Sequence, residues 1–73
     1  MKVYYCCVYV GNYEINALAD DPAKCVDLLA QEYVQEFGSF KSNGFKSRAE
    51  WLDFHGISAD CVDEIEINSA WTR

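Results

Sequence analysis

The 73-residue sequence predicts a small α+β domain, 1–73, in the order β-β-α-α-β. A three-stranded antiparallel sheet with spatial order 2-1-3 would carry one long and one short helix on a single face. Three observations lead there. A Gly-Asn pair at 11–12 joins two strand-like runs, the signature of a two-residue hairpin. Asp20-Asp21-Pro22 opens a segment with apolar residues at helical spacing. The segment from Asp63 to Trp71 alternates apolar and polar residues, as a half-buried strand does.

The first run, Lys2–Val10, reads KVYYCCVYV and is apolar on both faces, which suits the central strand. The second, Tyr13–Ala19, sets Tyr13, Ile15 and Ala17 against Glu14 and Asn16. Counting outward from the turn pairs Val10 with Tyr13, Val8 with Ile15 and Cys6 with Ala17 on the core side. Tyr9 with Glu14, Cys7 with Asn16 and Tyr5 with Leu18 then fall on the opposite side.

The long helix begins at an acidic N-cap with Pro22 in its first position and is expected to reach Phe37 and stop at Gly38. Val26, Leu29, Tyr33 and Phe37 form its apolar stripe, widened by Cys25 and Leu28, while Asp27, Glu32 and Glu36 face away. Residues 39–46 read as a polar loop. Ser47-Arg48-Ala49-Glu50 is a capping box that opens a short helix carrying Trp51, Leu52 and Phe54 or His55 and ending at Gly56. In the last strand Ile65, Ile67 and Trp71 are expected to face the core, with Glu64, Glu66 and Asn68 on the outside.

A chain this short buries only about 60% of the surface that it exposes unfolded. The sequence compensates with 51% hydrophobic residues, 11 of them aromatic, a composition that argues against disorder. The segment Met1–Val10 carries one Lys and no long apolar stretch with a cleavage site. The four cysteines are therefore expected as free, mostly buried thiols in a reducing cytoplasm rather than as a disulfide framework. No apolar run approaches the ~20 residues that span a bilayer, so no membrane partner is expected.

Chemistry-bearing constellations are sparse. Cys6, Cys7, Cys25, His55 and Cys61 include soft ligands, but no pair has the knuckle or helix-turn spacing of a zinc site. Asp60, Asp63 and Glu64 surround Cys61 and would raise its thiol pKa. Cys25 lies in the helical stripe and is expected to be buried. The run DCVDEIE lacks the Gly turn of a calcium loop. No catalytic residue, metal or cofactor is expected.

The 12 acidic residues outnumber the 6 basic ones, and half of the basic residues, Lys41, Lys46 and Arg48, fall in one short stretch. Phe40 and Phe45 interleave with these cations, a pattern that can stack bases. Three cations within an acidic chain make a poor footprint for phosphates, so direct nucleic-acid binding is not expected and the two Phe residues are read as core caps.

The sequence therefore predicts a non-enzymatic acidic module that binds a larger protein, one with a basic and possible nucleic-acid-binding surface. Tyr5, Tyr9, Glu14, Asp63, Glu64 and Glu66 would form the contact on the uncovered sheet face, with Lys41 and Lys46 as a second contact. In size, acidity and want of a catalytic motif the chain resembles phage-encoded inhibitors of bacterial defence such as anti-CRISPR proteins. That resemblance is one of type, implies a site in the host cytoplasm, and carries no residue over. The alternatives are a regulatory or structural subunit that oligomerises, as a homodimer for example, through the Tyr5–Tyr9 face or an exposed strand edge and, third, a Cys/His metal domain.

Overall fold

The computed structural model describes residues 2–66, the side chain of Cys61 excepted. The expectations for Ile67, Asn68 and Trp71 lie outside the described residues. Strands β1 (Lys2–Val10), β2 (Tyr13–Ala19) and β3 (Asp63–Glu66) form one antiparallel sheet in the order β2-β1-β3. Helices α1 (Pro22–Phe37) and α2 (Arg48–His55) supply the second layer. The predicted element order and sheet topology are those observed.

The turn explains the hairpin register. Gly11 has φ +61°, a conformation that costs a residue without Cβ nothing, whereas Asn12 has a negative φ. Gly in the first position of a two-residue turn gives type II′, whose twist matches that of the flanking strands. Pairing then runs Val10–Tyr13, Tyr9–Glu14, Val8–Ile15, Cys7–Asn16, Cys6–Ala17, Tyr5–Leu18, as counted from the sequence. Cys6, Val8, Ile15 and Ala17 are buried under the helices, and Cys7, Tyr9, Glu14, Asn16 and Leu18 are exposed on the other side.

Local chemistry sets the helix ends. The Asp21 carboxylate accepts from the Lys24 backbone N–H at 3.1 Å, and Pro22 occupies the first turn, where its missing N–H costs no bond. The Ser47 hydroxyl accepts from the Glu50 N–H at 3.3 Å; among the described hydrogen bonds only this half of the capping box forms. Gly56 closes α2 in the left-handed region. Its N–H donates to the Asp53 carbonyl, and the Ile57 N–H reaches back to Leu52 at 2.9 Å. That pattern is a Schellman motif, with Leu52 and Ile57 both packed on the core.

Leu29, Cys25 and Trp51 are the largest fully buried side chains. Tyr33 joins the two halves of the helical layer. Its ring lies 4.6 Å from Trp51, 5.2 Å from Phe37 and 5.7 Å from Phe40. The buried indole N–H of Trp51 has no hydrogen-bond partner among the described residues, a cost that the aromatic contacts offset.

The 39–46 segment contains a short 3₁₀ turn, Lys41–Asn43, where a loop was expected. The Asn43 side-chain amide donates to the Phe37 and Ser39 carbonyls at 2.9 and 2.8 Å, pinning the segment to the end of α1. Phe40 and Phe45 turn inward and pack on the core, as the sequence suggested.

The third strand departs from expectation. Tyr5 pairs with Asp63, Tyr4 with Glu64, Val3 with Ile65 and Lys2 with Glu66. Directly opposed residues share a face. Ile65 therefore lies with Val3 on the face away from the helices, and Glu64 and Glu66 lie on the helical side. The alternating pattern was read correctly as a strand but assigned to the wrong faces. β1 is apolar on both sides, so an isoleucine opposite it finds an apolar neighbour on either.

This placement separates two substitutions in urea unfolding. Leu29→Ala, at a fully buried position, should cost about 2–5 kcal/mol. Ile65→Ala, at a half-buried position outside the core cluster, should cost roughly 1 kcal/mol or less. Equal losses at the two sites would contradict the register of β3.

Candidate functional site

The face not covered by helices carries Val3, Tyr5, Cys7 and Tyr9 along β1. It carries Glu14, Asn16 and Leu18 on β2, and Asp63 and Ile65 on β3. Four of the expected contact residues, Tyr5, Tyr9, Glu14 and Asp63, are brought together there. Glu64 and Glu66 are not, because the observed register turns them to the other face. Glu64 also pairs with Lys2 at 3.0 Å, which partly neutralises it. The Lys2 ammonium is held above its ordinary pKa by that hydrogen bond and by the charge of Glu64. Lys41 and Lys46 are exposed on the 39–46 connection beside Gly44 and Phe45.

The polar groups of the open face are connected. The Tyr5 hydroxyl donates to Asn16 Oδ1 at 2.5 Å, and Asn16 Nδ2 donates to Glu14 Oε1 at 3.0 Å. Tyr9 also hydrogen-bonds Glu14. The bonds from Tyr9 and then Asn16 hold the Glu14 carboxyl below the usual carboxylate range, while the bond to Glu14 raises the Tyr9 phenol. At neutral pH the face thus presents the neutral phenol of Tyr9 beside the negative charge of Glu14. Tyr9 is 66% and Leu18 61% exposed, so large apolar surface stands beside that charge.

A second feature borders this face. Between the outer edge of β2 and α1 lies a groove of about 470 Å³ lined by Tyr13, Glu14, Ile15, Asn16, Glu32, Glu36 and Phe37. Sequence reasoning placed Glu32 and Glu36 on a solvated helix face and missed the groove. Their i,i+4 spacing was the available signal: like charges one turn apart repel unless a partner intervenes. Neither has a salt-bridge partner among the described residues.

The aromatic rings of the basic segment are packed within the protein. Phe40 is stacked on Tyr33, Phe45 packs edge-on to Phe54, and Arg48 is bound to Asp27. Its aromatic rings and one of its three cations are therefore already engaged within the protein.

The thiols divide by environment. Cys6 and Cys25 lie sulfur to sulfur at 3.2 Å, and Cys25 Sγ also donates towards the Tyr4 and Ala17 carbonyls, each at 3.3 Å. Burial, then the hydrogen bond with Cys25, pushes the Cys6 thiol up to about 12, so it stays protonated and unreactive. Cys7 is free and exposed. Among the described residues no group of three or more His, Cys, Asp or Glu side chains is placed to hold a metal ion. None of their helices is long and apolar enough to cross a membrane. His55 ends α2 with its ring edge-on to Trp51 and Phe54, 5.2 and 5.0 Å between centroids. Burial there holds its imidazole below the usual pKa.

Two measurements check these environments. In native protein, iodoacetamide followed by mass spectrometry should modify Cys7 quickly and Cys6 and Cys25 only after unfolding. Comparable native rates at all three would contradict the burial. For His55 the folded pKa lies below the unfolded value of about 6.5, so the unfolded chain takes up the extra proton first. Its contribution to stability is full above that value and is lost as the pH falls through it. Stability in urea should fall as the pH is lowered from about 7.5 through the unfolded value and on through the lower folded one, and His55→Gln should reduce that fall.

No family model matches the chain, and neither the curated proteins nor the solved structures contain a match to it.

Proposed function

We propose that this protein is a non-enzymatic binding module that occupies a basic surface of a larger protein, one that otherwise holds nucleic acid, and so acts as an inhibitor. The observation that carries this reading is the open sheet face. Tyr5, Tyr9, Leu18, Val3 and Ile65 are presented on paired strands, with Glu14 and Asp63 among them. Tyrosines offer large contact area and a hydroxyl with few rotatable bonds, and strand backbones hold them in place before binding.

Charge distribution supports a basic partner. Lys2, Lys24 and Arg48 are each bound to an acid of the protein itself, Glu64, Asp20 and Asp27. Much of the positive charge is thereby used internally, while Glu14, Glu32 and Glu36 have no cation among the described residues. A carboxylate-bearing surface of this kind can stand where phosphates would otherwise sit and draw its partner in electrostatically.

The test is capture of a partner by immobilised protein, followed by competition and salt titration. A captured partner should be released by its own nucleic acid and should be lost by about 0.5 M salt, where screening shortens to a few Å. Tyr9→Ala should weaken capture by roughly tenfold or more while leaving the unfolding midpoint nearly unchanged, since its side chain is largely exposed. Capture that persists at that salt, or that ignores Tyr9→Ala, would overturn the reading.

A further inference from the structure

β2 is an edge strand whose one charged side chain is Glu14. It lies at the end of the sheet and pairs only with β1 among the described residues. Edge strands are commonly protected by charged side chains, Lys above all, by Pro or by a bulge. The seven residues YEINALA contain neither Lys nor Pro, and their register with β1 is unbroken from Tyr13 to Ala19.

The turn fixes which backbone groups are free. Val10 and Tyr13 flank the two-residue turn as a hydrogen-bonded pair, and such pairs alternate along an antiparallel ladder. Val8–Ile15 and Cys6–Ala17 are therefore also hydrogen-bonded pairs. The N–H and C=O groups of Glu14, Asn16 and Leu18 point away from β1, and no backbone partner meets them among the described residues. Those of Glu14 and Asn16 border the groove between β2 and α1, and those of Leu18 continue the edge beyond it. β2 offers about 23 Å of such edge.

The groove's charge identifies the occupant. A strand laid along β2 would set its side chains alternately on the two faces. On the open face they would meet Glu14 and Asn16. On the helical face they would meet Tyr13, Phe37, Glu32 and Glu36. A second copy of this chain, paired edge to edge about a twofold axis, would bring Glu14 and the α1 carboxylates against their own counterparts. An extended segment rich in Lys or Arg would neutralise them instead.

We propose that the outer edge of β2 binds an extended basic segment of a partner protein, which joins the sheet as a fourth strand. Backbone hydrogen bonds to Glu14, Asn16 and Leu18 would supply affinity, and Glu14, Glu32 and Glu36 would select for positive charge. The inference rests on the preceding reading only in taking the partner to be basic. It names a different surface, the edge rather than the open face.

The probe is a peptide of roughly nine residues alternating Lys and Val, long enough to span β2. It is compared with the same peptide carrying Glu for Lys, and with the Lys peptide N-methylated at alternate backbone nitrogens. Amide shifts and hydrogen exchange are followed by NMR. The Lys peptide should bind saturably and protect the amides of Glu14, Asn16 and Leu18, and the other two peptides should not. The double variant Glu32→Lys/Glu36→Lys should weaken binding roughly tenfold. Asn16→Pro should abolish it without removing a backbone bond to β1, since that N–H points outward; Asn16→Ala, which likewise loses the side-chain bond from Tyr5 but keeps the outward N–H, should still bind. If Asn16→Pro fails to fold, the double variant at exposed and half-buried helix positions still decides the matter.

Four results would overturn the proposal: no saturable binding, protection confined to other residues, equal binding of the N-methylated peptide, or protection of the same amides by dimerisation of the protein alone. A basic peptide that binds elsewhere in a salt-sensitive way would defeat strand addition and leave the proposed function standing. Strand addition by the peptide, together with salt-resistant capture of the native partner, would do the reverse.

Discussion

Parity in the β1–β2 hairpin is the constraint on which the other features rest. One glycine in the left-handed region at position 11 lets a two-residue turn close with the twist of its strands. Side chains on a strand alternate, so a slip of one residue would exchange the buried and exposed sets along the whole hairpin. Cys6, Val8, Ile15 and Ala17 would leave the core, and Tyr9, Glu14 and Asn16 would enter it. Burying Glu14 without a cation would cost far more than the turn itself contributes. Core and turn thus specify the same register, and the same register decides which backbone groups of β2 face outward.

The second layer depends on aromatic packing that spans the chain. Tyr33 comes from α1, Phe40 from the connection after it, and Trp51 from α2, and their rings meet within 6 Å between centroids. Such contacts let an eight-residue helix with one buried residue hold its place, although a helix of that length is marginal on its own. They also consume the phenylalanines of the basic segment. The same residues that looked able to stack on bases in the sequence are structural in the fold, and the cations around them are left as surface charge.

The fold gives seven of the twelve acidic residues three different roles. Asp20, Asp27 and Glu64 balance the protein's own cations. Asp21 caps a helix. Glu14, Glu32 and Glu36 gather around a groove beside unpaired backbone. The third group is left to act on another molecule, and it adjoins the aromatic open face, where Asp63 also lies. The net charge of -6 therefore hides a difference in kind: some carboxylates are matched to the protein's own cations, and others gather beside β2.

Sequence alone determined the elements whose signals are local. The turn at Gly11-Asn12, the Asp21-Pro22 helix start, the Ser47 cap and the Gly56 stop each depend on neighbouring residues, and each lies where the sequence placed it. The hairpin faces were equally legible, since counting from a known turn leaves no freedom. The faces of β3 were not. No tight turn ties that strand to β1, and with apolar residues on both sides of β1 its alternation fits either orientation. Only the tertiary pairing of Tyr5 with Asp63 decided that Ile65 sits on the open face and that Glu64 and Glu66 leave it. The acidic groove is tertiary for the same reason. Glu32 and Glu36 are distant in sequence from Glu14, and their joint field along β2 exists only because α1 packs across the hairpin.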